Sequence, residues 1–288
     1  MPLPDDFCVF ILTHGRPDNV ITYQTLMKGQ YTGKIFIVID DEDETADQYI
    51  AKYGAMVLMF SKGEIAATFD EGDNFSDRRC IVYARNACFA LAAQVGCKHF
   101  VQLDDDYTHF EFKLIGQENT QYYVVQDLER LFANMLALYL STPAVTIAFA
   151  QGGDYIGGAS NSHVKRGYKR KAMNSFFCSV DRPFQFMGRL NEDVNFYTCE
   201  GRRGALIFTP FGCTLHQKQT QSNEGGMTDI YVAGGTYLKS FYSVMYSPSC
   251  VKITLMGQTK INRRIHHRIA WDKCAPMILH EDCKKAAA

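Results

Sequence analysis

Apolar runs alternate with amphipathic segments along the first third of the chain. Unbroken apolar runs are typical of strands that are buried on both faces. Three such runs predict strands at 7–12, 35–39 and 56–60. Helices are predicted between them, the first beginning near Pro17 and the second spanning 45–53. Strands that alternate with helices favour an α/β fold, in which helices cover both faces of a mostly parallel sheet.

A long polar segment, 61–79, interrupts this alternation. Loops of this length are usually functional or mobile. In the next segment, 80–95, apolar residues recur at spacings of three and four, which predicts an amphipathic helix that Gly96 ends. An apolar run at 100–103 then predicts a fourth buried strand.

The remainder of the chain predicts a smaller, partly antiparallel portion. Alternating apolar and polar positions predict antiparallel strands at 108–115 and 121–125. Helices are predicted at 127–140 and 229–246. Further short strands are predicted at 145–150, 205–208, 213–216 and 250–255.

The composition is that of a globular protein. With 288 residues, of which 47% are hydrophobic and 21% charged, the chain can bury a sizeable core. No linker or internal repeat is visible, so we predict a single domain with halves at about 1–107 and about 108–283. The last residues, 284–288, resemble an expression-vector remnant.

The expected compartment is the reducing cytoplasm, without membrane contact. No stretch approaches the roughly 18 to 20 apolar residues of a membrane span, and the first residues lack the basic and apolar regions of a signal peptide. The ten cysteines include no Cys-x-x-Cys pair, and Cys8, Cys88 and Cys97 lie in or beside apolar runs, as buried free thiols do. The net charge of -1 means that any nucleic-acid contact must come from local basic patches.

Three consecutive acids, Asp104, Asp105 and Asp106, follow the strand predicted at 100–103. Ligands of open α/β sheets gather at the carboxyl ends of strands. Adjacent carboxylates repel one another unless a divalent cation lies among them and joins them to a phosphate. This arrangement suits a nucleotide-sugar transferase, whereas an acidic turn that only caps the next element is the alternative.

Two basic patches stand out in a chain of nearly zero net charge. The first, within 163–171, contains Tyr168 and these cations: Lys165, Arg166, Lys169, Arg170 and Lys171. The second, within 260–268, contains Arg263, Arg264 and Arg268. Clustered cations with an interleaved aromatic residue suit phosphate contact and base stacking. A solvated surface loop is the alternative for the first patch.

A second acidic turn and one histidine are further candidates for functional residues. Glu192 and Asp193 open a predicted helix, where acids complement the helix dipole. They also lie far along the chain from the first acidic turn, as a general base on the acceptor side of a sugar would. His216 ends a predicted strand and is either a metal ligand or a polar group at a strand end.

The order of these features resembles the GT-A superfamily of nucleotide-sugar glycosyltransferases over roughly 7–216. Four segments are similar to the TET-associated glycosyltransferases of bacteriophages: Asp73 to Ser76, Ala84 to Asn86, Asp181 to Phe184, and Asn191 to Asn195. That family is associated with glycosylating 5-hydroxymethylcytosine in DNA. The resemblance implies a GT-A-like fold and a UDP-sugar donor.

The resemblance also assigns residues to the donor site. It implies that Thr13, Arg16 and Asp40 line the nucleotide pocket. Arg85 and Asn86 would then face the nucleotide or its diphosphate.

The Asp-x-Asp element of the superfamily corresponds to Asp104 and Asp106, with Asp105 between them in the nucleotide-sugar site. Asp106 would coordinate Mn²⁺ or Mg²⁺, and Asp104 would contact the ribose or the metal. His216 would complete the metal shell, with His163 and His266 as other candidates.

On the acceptor side, the resemblance implies that Asp193, with Glu192 as second candidate, deprotonates the acceptor hydroxyl. A base that only removes a proton gives a single displacement, which inverts the anomeric centre, although a retaining enzyme could use the same metal site. The two basic patches would grip DNA that contains 5-hydroxymethylcytosine. A glycosyltransferase acting on a polysaccharide or a protein is the alternative, since it would share the metal site without needing the patches.

Overall fold

The computed structural model describes residues 2–74, 77–116, 120–151, 160–165, 167, 169–218, 237–257 and 264–284. The first half of the chain supplies four strands: β1 Phe7–Leu12, β2 Lys34–Asp40, β3 Val57–Phe60 and β4 His99–Asp104. Four helices lie between them: α1 Ile21–Lys28, α2 Ala46–Tyr53, α3 Lys62–Ala66 and α4 Val82–Gln94. β1 pairs in parallel with both β2 and β4, and β2 pairs in parallel with β3. The predicted α/β class with a mostly parallel sheet is therefore confirmed.

The second half is more mixed. It begins with β5 Tyr107–Ile115, β6 Thr120–Val124, α5 Leu128–Leu140, β7 Thr146–Ile147, β8 Ala150–Gln151, α6 Ser162–Lys165 and β9 Ser175–Ser179. It continues with α7 Glu192–Arg202, β10 Ile207–Phe208, β11 Cys213–Gln217, α8 Leu238–Tyr246, β12 Val251–Met256, β13 Arg264–Ile269 and α9 Trp271–Cys274. Short 3₁₀ turns occupy Gly54–Met56 and Glu281–Cys283.

These strands form three sheets in the described part of the chain. The central sheet has the order β10-β7-β9-β4-β1-β2-β3, in which β9 runs antiparallel to both β4 and β7. A second sheet, β6-β5-β11-β8, is mostly antiparallel, and β12 and β13 form a separate hairpin. The predicted smaller, antiparallel portion is thus present.

Alternate residues of β1 pack into two cores on opposite faces of the central sheet. Val9 and Ile11 contact the core that contains α1 and α5. Cys8 and Phe10 contact the core that contains α4. A strand buried on both faces needs apolar side chains at every position, which is why 7–12 is an unbroken apolar run.

Several predicted elements differ from the structure. The first helix begins at Ile21 rather than near Pro17, whose carbonyl accepts hydrogen bonds from Lys52 and Tyr53 of α2. α3 lies inside the predicted loop 61–79. The strand predicted at 145–150 is divided between β7 and β8, which belong to different sheets.

Two strands were not predicted at all. β9 lies between β4 and β7, and β13 lies within the second basic patch. The part of the helix predicted at 229–246 that precedes Tyr237 lies outside the described residues, as do residues 285–288 of the presumed vector remnant. The prediction of a single domain stays a prediction.

The ten cysteines are all unbridged, and Cys8, Cys88 and Cys97 are buried thiols as predicted. Among the described residues, no helix is long and apolar enough to cross a membrane.

Candidate active site

The carboxyl ends of β1 and β4 are joined by side-chain contacts at the acidic turn. The Thr13 hydroxyl donates a hydrogen bond to Asp105 at 2.7 Å, and Arg16 Nε lies 3.4 Å from the same carboxylate. Tyr49 of α2 holds the loop after β1 in place. Its hydroxyl contacts Thr13 Oγ1 at 2.8 Å and accepts a hydrogen bond from the Arg16 backbone N–H. The predicted pocket residues Thr13 and Arg16 therefore lie against the acidic turn.

Asp40, at the end of β2, is held by two basic side chains. His14 Nδ1 lies 2.8 Å from one carboxylate oxygen, and Lys62 Nζ lies 2.8 Å from the other. Burial opposes ionisation, but the hydrogen bonds from His14 and Lys62 outweigh it and lower the pKa of Asp40. Asp40 is therefore a carboxylate of fixed orientation beside His14, the residue after Thr13. Its contact with a nucleotide stays a prediction.

Arg85 connects the two acidic turns. Its Nη2 donates to Asp104 at 2.9 Å and its Nε donates to Glu192 at 3.0 Å, although the two acids are far apart in sequence. The Arg85 side chain is only 1% exposed and stacks against Phe176, whose ring centroid lies 5.2 Å from the guanidinium carbon. Its Nη1 has no hydrogen-bond partner among the described residues. One guanidinium thus fixes the spacing between the Asp-x-Asp element and the turn that carries Asp193.

Replacing Arg85 with methionine should lower the free energy of unfolding by about 3 to 5 kcal/mol, since it leaves the buried Asp104 and Glu192 without their partner. Denaturant unfolding of the metal-free protein measures this change. Arg203→Met is the matched control, because its ion pair with Glu200 is exposed and should be worth less than about 1 kcal/mol. Equal losses in the two variants would show that Arg85 does not hold the turns together.

The three acids of the first turn have different partners. Asp104 is paired with Arg85, and Asp105 with Thr13 and Arg16. Among the described residues, Asp106 has no side-chain partner.

The pKa values of Asp104 and Asp106 are raised by burial and by the charges of neighbouring acids. Burial, then the neighbouring acids, raises the pKa of Asp104 to about 7, although Arg85 opposes this. Burial and the charge of Asp105 raise the pKa of Asp106 to about 6. The turn therefore holds three acids whose charges repel one another, and the nearby arginines only partly offset this.

The second acidic turn is braced by α8 and β13. Asn191 takes the left-handed conformation, with φ of 62°, which asparagine tolerates better than most residues. Its side-chain amide donates to Ser243 at 2.7 Å and lies 3.3 Å from Nδ1 of His267. Gly188, just before the turn, has φ of +79°, which favours glycine. A Cβ at this position would lie 2.6 Å from the side-chain nitrogen Nδ2 of Asn195, so there is no room for one.

Asp193 itself is a buried carboxylate. It accepts a hydrogen bond from the Val194 backbone N–H at 2.7 Å. Burial, followed by the charge of Glu192, raises its pKa to about 6, whereas Arg85 and Lys171 act in the opposite direction. A carboxylate of this kind is suited to accept a proton near neutral pH.

Two lysines, one from the first basic patch and one from α8, lie near Asp193. Lys171, of the first patch, interacts electrostatically with Asp193 and with His267. Lys239, four residues before Ser243 on α8, faces the same side of the helix as Ser243 and interacts with Asp193 and with Arg264 of the second patch. Burial lowers the pKa of Lys239.

The other patch residues are more dispersed. Lys165 is exposed at the end of α6, and Lys169 forms an ion pair with Asp272. Arg170 lies between Lys169 and Lys171, and its contact with DNA stays a prediction. Three predicted DNA-binding residues lie outside the described residues: Arg166, Tyr168 and Arg263.

Two further predicted site residues have structural partners. The Asn86 amide exchanges two hydrogen bonds with the main chain of Phe186, at 2.8 and 3.0 Å. His216 lies on β11 and contacts Glu111 of β5 at 2.7 Å. A contact between Asn86 and the nucleotide, and a place for His216 in the donor metal shell, stay predictions.

The segments that carry the family resemblance make contacts between distant parts of the chain. Arg182 donates to the carbonyls of Thr142 and Ala144 after α5, at 2.8 and 3.0 Å. Asp73 forms an ion pair with Arg189 at 2.8 Å and a hydrogen bond with Tyr242 of α8. The acidic loop is thereby attached to the segment that leads to Asp193.

Sequence reasoning missed Tyr49, Lys62 and His14. Tyr49 and Lys62 are buried polar groups that lie at helical positions with no distinctive spacing. His14 directly follows Thr13, and its place beside the predicted Asp40 could have been inferred from the adjacent strand ends.

Several solved structures are similar to this chain. Glucosyl-3-phosphoglycerate synthase from Mycobacterium tuberculosis, in complex with Mn²⁺, uridine diphosphate and phosphoglyceric acid, is 11% identical with a TM-score of 0.46, over 91% of this chain and 86% of that chain. The same enzyme with Mg²⁺ and uridine diphosphate has the same identity and TM-score, over 91% and 87%. A mycobacterial protein is 8% identical with a TM-score of 0.45, over 91% and 83%.

No curated protein sequence matches the chain. The family model of the TET-associated glycosyltransferases matches residues 7–226, which include both acidic turns and Arg85. This chain therefore belongs to the TET-associated glycosyltransferase family and is a nucleotide-sugar-dependent glycosyltransferase.

Proposed function

We propose that this enzyme transfers a sugar from a UDP-sugar to the hydroxymethyl group of 5-hydroxymethylcytosine in DNA, with inversion at the anomeric carbon. The observation that carries the proposal is the pairing of Arg85 with both Asp104 and Glu192. A transferase needs its donor-binding acids and its general base close to one reacting carbon. Arg85 joins the donor-side acid Asp104 to Glu192, which is the neighbour of the proposed base Asp193.

The donor side would hold Mn²⁺ or Mg²⁺ through Asp106 and the free oxygen of Asp104. Both ions prefer carboxylate oxygens. Asp106 offers a carboxylate with no side-chain hydrogen bond or ion pair among the described residues, although the charges of Arg16 and Lys218 favour its ionised form. When bound, the cation would neutralise the charge that develops on the leaving diphosphate.

Thr13 and Arg16 contact Asp105 of the same turn, and Asp40 contacts the adjacent His14. These three residues would bind and orient the nucleotide.

On the acceptor side, Asp193 is the proposed base. Its carboxylate would take the proton of the hydroxymethyl group as that oxygen bonds to the anomeric carbon. The bond between that carbon and the diphosphate oxygen breaks, and its electron pair leaves with the diphosphate. Glu192 already accepts a hydrogen bond from Arg85, which leaves Asp193 as the better candidate.

This base predicts a pH dependence. Asp193 is active only when deprotonated, and its pKa is raised to about 6, so kcat/KM for the acceptor should rise with pH through about 6 and level off above it. Lys171→Gln should move the inflection to higher pH, because the charge of Lys171 lowers the pKa of Asp193. Rates measured at saturating metal give the profile. A rate independent of pH between about 5 and 7 would contradict the assignment.

Family membership and local charge support a DNA acceptor. The family is named for its association with TET enzymes. Lys171 of the first patch and Lys239 interact with Asp193, and Arg264 of the second patch interacts with Lys239. A protein of net charge -1 can hold a polyanion only where cations are concentrated. We propose that these cations contact the DNA backbone while the modified cytosine is turned out of the helix toward Asp193.

Neutralising three cations of the first patch tests this acceptor. The triple variant Lys165→Gln, Arg170→Gln and Lys171→Gln should raise KM for hydroxymethylated DNA. At a pH well above the pKa of Asp193 it should leave donor hydrolysis nearly unchanged. Its plot of log binding constant against log salt should flatten by about 0.9 for each phosphate of duplex DNA that the variant no longer neutralises.

The matched control is Lys28→Gln, Lys34→Gln and Lys98→Gln, which removes three lysines near the amino ends of the strands. This control should bind DNA with the wild-type salt dependence. An unaltered slope in the first triple variant, or no DNA binding by the wild type at low salt, would favour a polysaccharide or protein acceptor.

A further inference from the structure

Two adjacent histidines of β13, His266 and His267, lie near the turn that carries Asp193. Their imidazole rings are in contact, with centroids 4.3 Å apart. Lys171 and Lys239, which interact with Asp193, also interact with both histidines. The two rings therefore belong to the same group of side chains as the proposed base.

A chain of hydrogen bonds fixes which nitrogen of His267 carries the proton. The side-chain nitrogen of Asn195 donates to two main-chain carbonyls, at 2.9 and 3.0 Å. Its side-chain oxygen therefore accepts the single hydrogen of the Ser243 hydroxyl, at 2.9 Å. The Ser243 oxygen must then accept from the side-chain nitrogen of Asn191, at 2.7 Å. The second hydrogen of that nitrogen goes to His267 Nδ1 at 3.3 Å, so Nδ1 is an acceptor and the ring proton is on Nε2.

His266 is held in the opposite tautomer. Its Nδ1 lies 2.8 Å from the His267 carbonyl, which can only accept, so Nδ1 carries a proton. Burial, together with the nearby lysines, lowers the pKa of both histidines, that of His267 to about 4, so both rings are neutral near pH 7. The Nε2 of His266 therefore presents a lone pair. Neither ring can exchange donor and acceptor without losing its Nδ1 hydrogen bond.

The two Nε2 atoms can reach a ligand. Among the described residues, neither atom has a hydrogen-bond partner, and neither is fully buried. Both side chains are half-buried. The pair thus offers one N–H donor, on His267, beside one acceptor, on His266, and a ligand with the complementary acceptor and donor would satisfy both.

We propose that His266 and His267 read the Watson–Crick edge of the turned-out 5-hydroxymethylcytosine, an inference that rests on the proposed function. The N4 amino group of cytosine donates to His266 Nε2, and its N3 accepts from His267 Nε2. N4 is attached to the ring carbon next to the one that carries the hydroxymethyl group. The groups that read this edge must therefore lie beside the base that deprotonates the hydroxyl, as these histidines do.

The fixed tautomers make the pair selective between pyrimidines. In 5-hydroxymethyluracil the roles are reversed, because O4 is an acceptor and N3 carries a hydrogen. Each histidine would then face a group of its own kind, acceptor against acceptor and donor against donor. A site that leaves polar groups mismatched in this way rejects the analogue.

The ratio of kcat/KM for 5-hydroxymethylcytosine to that for 5-hydroxymethyluracil, in otherwise identical oligonucleotides, measures this selection. The wild-type enzyme should favour the cytosine by about 10²-fold or more. Asparagine can replace the Nδ1 hydrogen bond of a histidine but has no atom at the Nε2 position. His266→Asn and His267→Asn should therefore each lower the ratio by about 10-fold and leave donor hydrolysis nearly unchanged.

His280→Asn is the matched control, since His280 forms an exposed pair with Asp282 and should keep the wild-type ratio. Circular dichroism verifies the fold of each variant, and the wild-type ratio tests the inference if a variant unfolds. Equal transfer to both pyrimidines by the wild type, or an unaltered ratio in both β13 variants, would overturn this inference alone. No transfer to either oligonucleotide would contradict the proposed function and this inference with it.

Discussion

Replacing Asp193 with asparagine should leave donor binding intact and slow transfer by about 10²-fold to 10⁴-fold, the usual contribution of a positioned general base. Asparagine has nearly the same shape and can still accept the hydrogen bond from the Val194 N–H, so the turn should keep its conformation. It cannot take a proton from the acceptor. The loss should therefore appear in kcat, measured with saturating donor and acceptor, rather than in the donor dissociation constant.

Glu192→Gln separates the two acids of the turn. Glu192 is tied to Arg85, so its replacement should disturb the spacing of the turns and reduce stability as well as rate. If Glu192→Gln abolished transfer at wild-type stability while Asp193→Asn remained active, the base would be Glu192. If donor affinity fell as far as the rate in Asp193→Asn, Asp193 would be a binding residue.

Replacing Asp106 with alanine should abolish turnover and weaken donor binding. A metal ion supplies several kcal/mol of transition-state stabilisation, and about 1.4 kcal/mol corresponds to a factor of ten, so the rate should fall by about 10³-fold or more. Asp47→Asn, which removes an exposed acid of α2, should have no effect. Activity of the Asp106 variant at the wild-type level in EDTA would exclude a metal role for this turn.

The same substitution should not destabilise the metal-free protein. Burial and the charge of Asp105 raise the pKa of Asp106 to about 6, above its value in the unfolded chain. Folding therefore disfavours the charged form, and stability is lost as pH rises through the folded pKa. At pH 7 the variant should unfold with a free energy equal to or higher than that of the wild type, so a loss of activity cannot be attributed to unfolding.

The sequence predicted the parts of the site that depend on local pattern. Apolar runs ending in acids placed Asp40 and Asp104 at the carboxyl ends of strands, where the structure has them. The alternation of strands and helices was sufficient for the fold class, because each parallel strand needs a connection that covers one face of the sheet.

The features of the fold and the site that the sequence did not predict depend on contacts between distant segments. β9 has no strong pattern of its own and becomes a strand by pairing with β4 and β7. β13 is rich in charged residues and is a strand because β12 pairs with it. The link from Arg85 to Glu192 spans 107 positions, and no spacing rule in one sequence indicates such a pair.

The central claim is best tested by the mass of a hydroxymethylated oligonucleotide after incubation with the enzyme, Mn²⁺ and a panel of UDP-sugars. An oligonucleotide with unmodified cytosine at the same position is the matched acceptor control, and Asp193→Asn is the enzyme control. The proposed function predicts a mass gain of one sugar residue for each 5-hydroxymethylcytosine, with one donor and the wild-type enzyme only. No mass gain with any donor, under conditions in which the enzyme hydrolyses a UDP-sugar, would contradict the DNA acceptor and leave a glycosyltransferase of another substrate class.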